Sequence, residues 1–327
     1  MDSLQAVKLR RLLLSSTDVT FDNHACRQRD FIYKHPIISQ LVSAFQGTAI
    51  NGPEGQIQSF VSRYSIQAQP ERPNVILLIG STGSLGANTL AHLASFPSIF
   101  KVICLIRPRN GSNGFERQSQ ALRAQKIHLN SALWDKLEVI QTNATMPRLG
   151  LADAEHERLL RQVTHVLHCA WPINFKMMLP SFEGQFKTLR NLLDLAVDAS
   201  KFSFKQPHKQ PRLLLLSSVA AVGNYKTIYG QSKIPEVPMF DENCTNAFGY
   251  GEAKLVCERI IENARLTHGS KIDVSLVRVG QITGSNDTGH WNSKEHVPAM
   301  IKSSRLIGAL PRLDGVSKKN VSVLGIR

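Results

Sequence analysis

Two serines, a tyrosine and a lysine in the second half of the sequence have the types and spacing needed to deliver a proton to a carbonyl oxygen. Ser217 and Ser218 end an apolar run, and Tyr250 and Lys254 follow in a Tyr-x-x-x-Lys pattern. Positions four apart on a helix share a face, so the Lys254 ammonium can lie beside the Tyr250 phenol and lower its pKa. The tyrosine would then protonate the oxygen as hydride reaches the carbon, while a serine hydroxyl hydrogen-bonds that oxygen.

A glycine-rich turn earlier in the chain favours this functional interpretation over an ordinary helix that happens to carry the pattern. The apolar run at 75–79 leads directly into Gly80-Ser81-Thr82-Gly83-Ser84-Leu85-Gly86 and then into a helical pattern. Glycines permit the tight turn, bring backbone N–H groups close to a pyrophosphate and let the helix pack closely on the strand. The G-x-x-G-x-x-G spacing is characteristic of short-chain dehydrogenases, and its position after a strand predicts a dinucleotide site.

The end of the second apolar run indicates which dinucleotide is bound. Folds that bind NAD place an acidic residue here to hold the ribose hydroxyls, whereas this sequence has Arg107. A guanidinium suits the 2′-phosphate of NADP(H), which the sequence therefore predicts as the cofactor. The alternative is that Arg107 is a solvated residue at a strand end.

The spacing of the apolar runs predicts the fold class and the domain organisation. Short apolar runs separated by amphipathic segments are typical of a parallel sheet covered on both faces, so we expect a Rossmann-type, doubly wound α/β domain over residues 74–315. The runs are Val75–Ile79, Val102–Ile106, Leu137–Ile140, Val163–Leu167, Leu213–Leu216 and Val274–Val277. Residues 1–47 have helical spacing, the glycines and prolines of residues 48–73 predict a linker, and residues 316–327 form an atypical tail.

Composition argues against several other classes of protein. The 327 residues carry a net charge of +14, but the Lys and Arg residues are scattered without interleaved aromatics, so nucleic-acid binding is not expected. The five cysteines never form a C-x-x-C pair, which favours neither a disulfide framework nor a metal site. No long apolar run or signal pattern is present, so we expect a cytoplasmic protein with no membrane contact. The positive charge favours the approach of phosphate-bearing ligands.

Six segments together resemble the thioester reductase domain, of the extended short-chain dehydrogenase/reductase family, that ends fungal nonribosomal-peptide-synthetase-like carboxylic acid reductases. They are Gly80–Gly86, Cys104–Arg107, His168–Phe175, Ser217–Gly223, Gly249–Lys254 and Val277–Ile282. The resemblance implies NADPH-dependent reduction of a carrier-bound acyl thioester to an aldehyde, which some relatives reduce further to the alcohol. It favours Ser218 over Ser217, because the acting serine of relatives lies five positions before the glycine that closes this loop. It also implies cofactor contacts at Asn143 and Ala170.

The N-terminal segment resembles part of a second domain. Asp2-Ser3-Leu4 is similar to the phosphopantetheine attachment site of a peptidyl carrier domain, with Ser3 as the attachment residue. The resemblance implies a partial carrier domain lacking its first helix, an adenylation domain upstream in a full-length relative, and a reductase domain truncated at its C-terminus. An amphipathic helix with an incidental Asp-Ser-Leu is the alternative for Ser3.

The sequence leaves two other functions open. An extended short-chain dehydrogenase acting on a sugar nucleotide or another carbonyl would share the glycine-rich turn and the Ser-Tyr-Lys set. A truncated, catalytically inactive NADP-binding fragment would keep cofactor binding without turnover.

Overall fold

The computed structural model describes residues 53–65, 73–109, 111–202, 210–231, 233–285, 288–309 and 323–326, together with Lys8. The chain divides into two compact units, Met1–Glu71 and Arg72–Arg327. Apart from Lys8, the segment expected to be a partial carrier domain, including Ser3, lies outside the described residues.

In the first unit, a helix replaces part of the expected linker. Helix α1 covers Pro53–Tyr64. Proline is favoured in the first turn of a helix because its missing N–H has no intrahelical partner there. Apolar side chains then recur at intervals of three and four positions, at Ile57, Phe60, Val61 and Tyr64. Part of the segment predicted to be a linker is therefore helical.

The second unit is built on a six-stranded parallel sheet, which confirms the predicted Rossmann-type fold. The strands are β1 (Asn74–Ile79), β2 (Ile99–Ile106), β3 (Leu137–Gln141), β4 (His165–His168), β5 (Arg212–Ser218) and β6 (Asp273–Val279). Their order in the sheet is β3-β2-β1-β4-β5-β6, with all neighbours parallel. This order reverses direction between β1 and β4, and ligands of such sheets bind at the carboxyl ends of the strands near that point.

Helices cover both faces of the sheet. They are α2 (Ser84–Ser95), α3 (Gly114–Ala124), α4 (Ser131–Trp134), α5 (Asp153–Gln162), α6 (Glu183–Ser200) and α8 (Gly249–His268). The short helix α7 (Tyr225–Tyr229) packs instead in a separate cluster with Ala221 and Val222. Successive residues of β1 lie in different hydrophobic cores, one on each face of the sheet. Leu77 packs in a cluster with α5, α6 and α8, and Leu78 packs in a cluster with α2 and α3. Burial on both faces explains why the strands read as continuous apolar runs.

A smaller substructure follows the main sheet. Strand β7 (Gln281–Ser285) pairs in parallel with β8 (Val323–Ile326), and helix α9 (His296–Ile307) lies between them in the sequence. Strand β8 lies inside the segment that the sequence interpretation treated as an atypical tail.

The described residues contain neither a membrane-spanning helix nor a candidate metal site. No helix there is long and apolar enough to cross a membrane. Those residues also contain no group of three or more His, Cys, Asp or Glu side chains arranged to hold a metal ion.

Candidate active site

The glycine-rich turn is packed too tightly for any other residue at two of its positions. Gly80 has φ +99°, and a Cβ there would lie 2.6 Å from the backbone nitrogen of Ala170. A Cβ on Gly86 would lie 2.0 Å from the carbonyl oxygen of Gly80. Gly83 precedes α2, and no side chain caps that helix end. The turn therefore presents bare backbone and a helix N-terminus, which together suit a pyrophosphate.

Two further predicted cofactor residues lie at the same carboxyl edge of the sheet. Arg107 follows β2 with an exposed side chain, and its carbonyl oxygen accepts a hydrogen bond from the Arg117 guanidinium. Asn143 follows β3, and its side-chain oxygen accepts hydrogen bonds from the Thr145 backbone (3.2 Å) and hydroxyl (2.8 Å). Asn143 thus stabilises its own turn, and the side chain of Arg107 is exposed. Of the remaining turn residues, Thr82 is exposed and Leu85 is partly buried.

The structure brings Ser218, rather than Ser217, to the tyrosine. Neighbouring residues of a strand face opposite sides. The Ser217 hydroxyl donates to the Glu258 carboxylate at 2.5 Å. The Ser218 side chain accepts from the Ala220 backbone at 3.2 Å and lies beside the Tyr250 phenol.

The glycines on either side of Tyr250 let the start of α8 approach two backbone segments. A Cβ on Gly249 would lie 2.4 Å from the carbonyl oxygen of Met177, and one on Gly251 would lie 2.8 Å from that of Ala220. Ala220 belongs to the 3₁₀ turn that follows Ser218. The Gly-Tyr-Gly sequence therefore fixes Tyr250 against the end of β5.

Four aromatic rings surround the Tyr250 ring. Their centroids lie 5.2 Å (Phe175), 6.3 Å (Phe248), 6.4 Å (Trp171) and 6.4 Å (Phe182) from the Tyr250 centroid. Burial raises the pKa of Tyr250, and the hydrogen bond with Ser218 opposes that shift. The phenol is therefore a proton donor at neutral pH.

Lys254 is buried one helical turn after Tyr250 on α8. Its ammonium donates to the Leu216 carbonyl oxygen at 2.6 Å and lies 3.7 Å from the centroid of the Trp171 ring. Burial lowers the pKa of Lys254 to about 8, against opposing contributions from Cys257, Cys169 and Glu258. The sequence interpretation expected this ammonium to lower the pKa of Tyr250. Burial raises the pKa of Tyr250, and Ser218 opposes that shift.

A family model described as "Male sterility protein", for NAD-binding domains, matches residues 78–326. The chain belongs to this family. Over 324 residues it is 38% identical to an adenylate-forming reductase from Aspergillus terreus, covering 96% of this chain and 30% of that protein. It is 32% identical over 339 residues to the adenylate-forming reductase stbB from Stachybotrys bisbyi, covering 96% and 31%. The chain thus spans about a third of the length of these relatives.

Solved reductase domains share the fold. The terminal R domain of the myxalamid pathway superposes with a TM-score of 0.63 at 23% identity, covering 79% of this chain and 60% of that one. The reductase domain of a Mycobacterium tuberculosis nonribosomal peptide synthetase superposes with a TM-score of 0.57 at 19% identity, covering 82% and 64%. These structures show that the chain has the fold of the reductase domains. The family match and the adenylate-forming reductases among its relatives support the predicted resemblance to thioester reductase domains of the extended short-chain dehydrogenase/reductase family.

In this reductase domain, Gln118 is a site residue that the sequence interpretation missed. It is fully buried on α3, accepts from the Ser81 hydroxyl at 2.6 Å and donates to the Ser81 carbonyl oxygen at 3.1 Å. This pair of hydrogen bonds fixes the residue that follows Gly80. No sequence motif marks Gln118, because its partner lies 37 positions away.

We expect Gln118→Ala to loosen the glycine-rich turn and weaken NADPH binding by about tenfold, since leaving buried polar groups without partners costs about 1–3 kcal/mol. Isothermal titration with NADPH measures the effect. Gln120→Ala is the matched control, because Gln120 is an exposed glutamine on the same helix. Equal affinities for the two variants would show that Gln118 does not support the cofactor turn.

Proposed function

We propose that this domain uses NADPH to reduce an acyl thioester, presented on the phosphopantetheine arm of a carrier domain, to an aldehyde. The observation that carries the proposal is the placement of Ser218, at the end of β5, beside Tyr250, at the start of α8, on the carboxyl edge of the sheet that also carries the glycine-rich turn. The adenylate-forming reductases that the chain resembles support the reductive chemistry. The sugar-nucleotide and inactive-fragment alternatives become outcomes of the test below.

The residues present fit the proposed cofactor. The close backbone contacts of Gly80 and Gly86 form a tight turn, and the N-terminus of α2, which has no side-chain cap, offers N–H groups to a pyrophosphate. Arg107 would hold the 2′-phosphate. NADPH, when bound, supplies the hydride.

The protein's own residues supply the proton and hold the carbonyl oxygen. Tyr250 donates its phenolic proton to that oxygen, and Ser218 donates a hydrogen bond to it. Lys254 holds the nicotinamide ribose. The reduced carbon then loses its thiol substituent, so one thioester, one NADPH and one proton give one aldehyde, one thiol and one NADP⁺.

The test is to incubate the purified chain with NADPH and an acyl-pantetheine thioester and to follow the loss of NADPH absorbance and the formation of aldehyde. Both signals should appear together. Binding of NADPH without oxidation would favour the inactive fragment, and oxidation only with nucleotide sugars would favour the other dehydrogenase class. Either result would refute the proposal.

We expect Arg107→Ala to raise the KM for NADPH about tenfold or more and to leave the KM for NADH almost unchanged, because only NADPH carries the 2′-phosphate that a guanidinium binds. Initial-rate measurements with both cofactors give the comparison. Arg212→Ala is the control, since Arg212 is an exposed arginine at the opposite end of a strand. A wild-type preference for NADH would contradict the assignment.

The buried lysine predicts a pH dependence. Burial lowers the Lys254 pKa to about 8, so its positive charge is lost as the pH rises through that value. We expect kcat/KM to fall above pH ~8, whereas Tyr250, with a raised pKa, stays protonated there. Between the folded pKa and the ordinary pKa of 10.5 the unfolded chain binds more protons at this group. Its contribution to stability therefore rises with pH. A flat profile to pH ~9.5 would contradict this role for Lys254.

A further inference from the structure

A buried ion pair lies behind the catalytic residues. Glu258 follows Lys254 by one turn on α8, and Arg278 lies on β6; their side chains are 2% and 14% exposed. The Arg278 guanidinium donates to both carboxylate oxygens, at 2.8 and 3.1 Å. The same carboxylate accepts the Ser217 hydroxyl at 2.5 Å.

The remaining donors of the guanidinium reach a surface loop. Arg278 donates to the carbonyl oxygens of Pro235 at 3.3 Å and Val237 at 3.2 Å. A second arginine, Arg259 on α8, donates to the carbonyl oxygen of Phe240. The loop 233–240 is therefore attached to the domain through its backbone.

This mode of attachment leaves the apolar side chains of the loop in solvent. Ile234, Val237 and Phe240 are 39%, 53% and 66% exposed. Isolated exposed apolar residues are ordinary, but three within one loop at a ligand-binding edge form a surface suited to an apolar ligand.

The strand register connects this loop to the active site. Arg278 pairs with Ser217 across β5 and β6, and the next pair is Val279 with Ser218. One carboxylate therefore contacts both the arginine that holds the loop and the serine that precedes Ser218. Burying two charges is unfavourable unless every donor and acceptor is used, and here the guanidinium serves the carboxylate and the loop together.

We propose that Glu258 and Arg278 are positioning residues that hold loop 233–240 at the carboxyl edge, as part of the acyl-binding surface, and fix the strand end that carries Ser218. The inference rests on the proposed thioester reduction. Neither side chain contacts the reacting atoms in this account; both act through the loop and through Ser217.

The first test is Arg278→Lys in the full chain, because a lysine cannot bind a carboxylate and two carbonyl oxygens in the fixed geometry of a guanidinium. We expect the KM for an acyl-pantetheine thioester to rise about tenfold and the NADPH dissociation constant to stay within about twofold. Amide hydrogen exchange should become faster in residues 233–240 and stay unchanged in β1 and α2. Arg265→Lys is the matched control, since Arg265 is an exposed arginine on α8 that pairs with Glu262 of that helix.

Unchanged KM and unchanged loop exchange in Arg278→Lys would overturn the proposal. Faster exchange throughout residues 73–309, with weaker NADPH binding, would also overturn it by showing a general loss of stability. If the wild-type chain reduces no thioester, the proposed function fails. In that case, amide hydrogen exchange alone tests whether Arg278 holds the loop. Faster exchange confined to residues 233–240 in Arg278→Lys supports this role, and unchanged exchange there overturns it.

A second variant tests the link to Ser218 should Arg278→Lys fail to fold. Ser217→Ala removes one hydrogen bond to Glu258 and should lower kcat about fivefold with unchanged KM and NADPH affinity. Ser217→Thr, which keeps the hydroxyl, should restore kcat. If Ser217→Ala has the wild-type kcat, the proposed link from Glu258 through Ser217 to Ser218 is overturned.

Discussion

Tyr250→Phe should lower turnover by about 10²–10⁴-fold, the usual contribution of a positioned general acid, while NADPH binds as in the wild type. The phenylalanine ring keeps its place among the rings of Trp171, Phe175, Phe182 and Phe248. Only the hydroxyl that meets Ser218 is lost. Steady-state rates and NADPH titration on the same preparation separate chemistry from binding.

Tyr225→Phe is the matched control for this substitution. Tyr225 is also buried, and its hydroxyl donates a 3.4 Å hydrogen bond to the side-chain oxygen of Gln231. That variant should turn over at close to the wild-type rate. Loss of NADPH binding in Tyr250→Phe would instead assign the tyrosine a structural role, and full activity would remove it from the mechanism.

Gly86→Ala should damage both the fold and the cofactor site. The added Cβ would lie 2.0 Å from the Gly80 carbonyl oxygen and 2.6 Å from its carbonyl carbon, and backbone atoms cannot move aside as a flexible side chain does. Overpacking of this kind costs about 1–3 kcal/mol, which lowers the melting temperature by about 3–10 °C in a domain of this size. NADPH affinity should fall at least tenfold, or about 1.4 kcal/mol, because the displaced turn is the pyrophosphate site.

Gly83→Ala is the control for stability. A Cβ at that position would meet only the Gly80 carbonyl oxygen, at 3.4 Å, and Gly83 has φ −81°. Its melting temperature should therefore stay close to that of the wild type. Equal melting temperatures for the two alanine variants, measured by scanning calorimetry, would show that the close approach at Gly86 is not a constraint on the fold.

Local sequence carries most of the information about the sheet and the cofactor turn. A strand buried on both faces must be apolar throughout, so runs such as 75–79 and 102–106 are visible without any structure. The glycines of the turn are equally visible, because the close contacts of Gly80 and Gly86 exclude side chains. The order of the strands then follows from the rules of doubly wound sheets.

The positions of individual side chains depend on contacts between distant segments. Gln118 meets Ser81 across 37 residues, and Arg278 meets Pro235 across 43. No spacing rule predicts such pairs. The i, i+4 relation placed Tyr250 and Lys254 on one face correctly, but it could not show that the Lys254 ammonium binds the Leu216 carbonyl oxygen.

The most direct test of the proposed function is the fate of hydride. The chain is incubated with an acyl-pantetheine thioester and NADPH carrying deuterium at both C4 positions, and the products are measured by mass spectrometry. The proposed mechanism predicts an aldehyde with one deuterium on its carbonyl carbon and one free thiol for each NADPH oxidised. Tyr250→Phe should form this product about 10²–10⁴-fold more slowly. Release of thiol with no deuterium in the acyl product would show hydrolysis and contradict the proposed reduction.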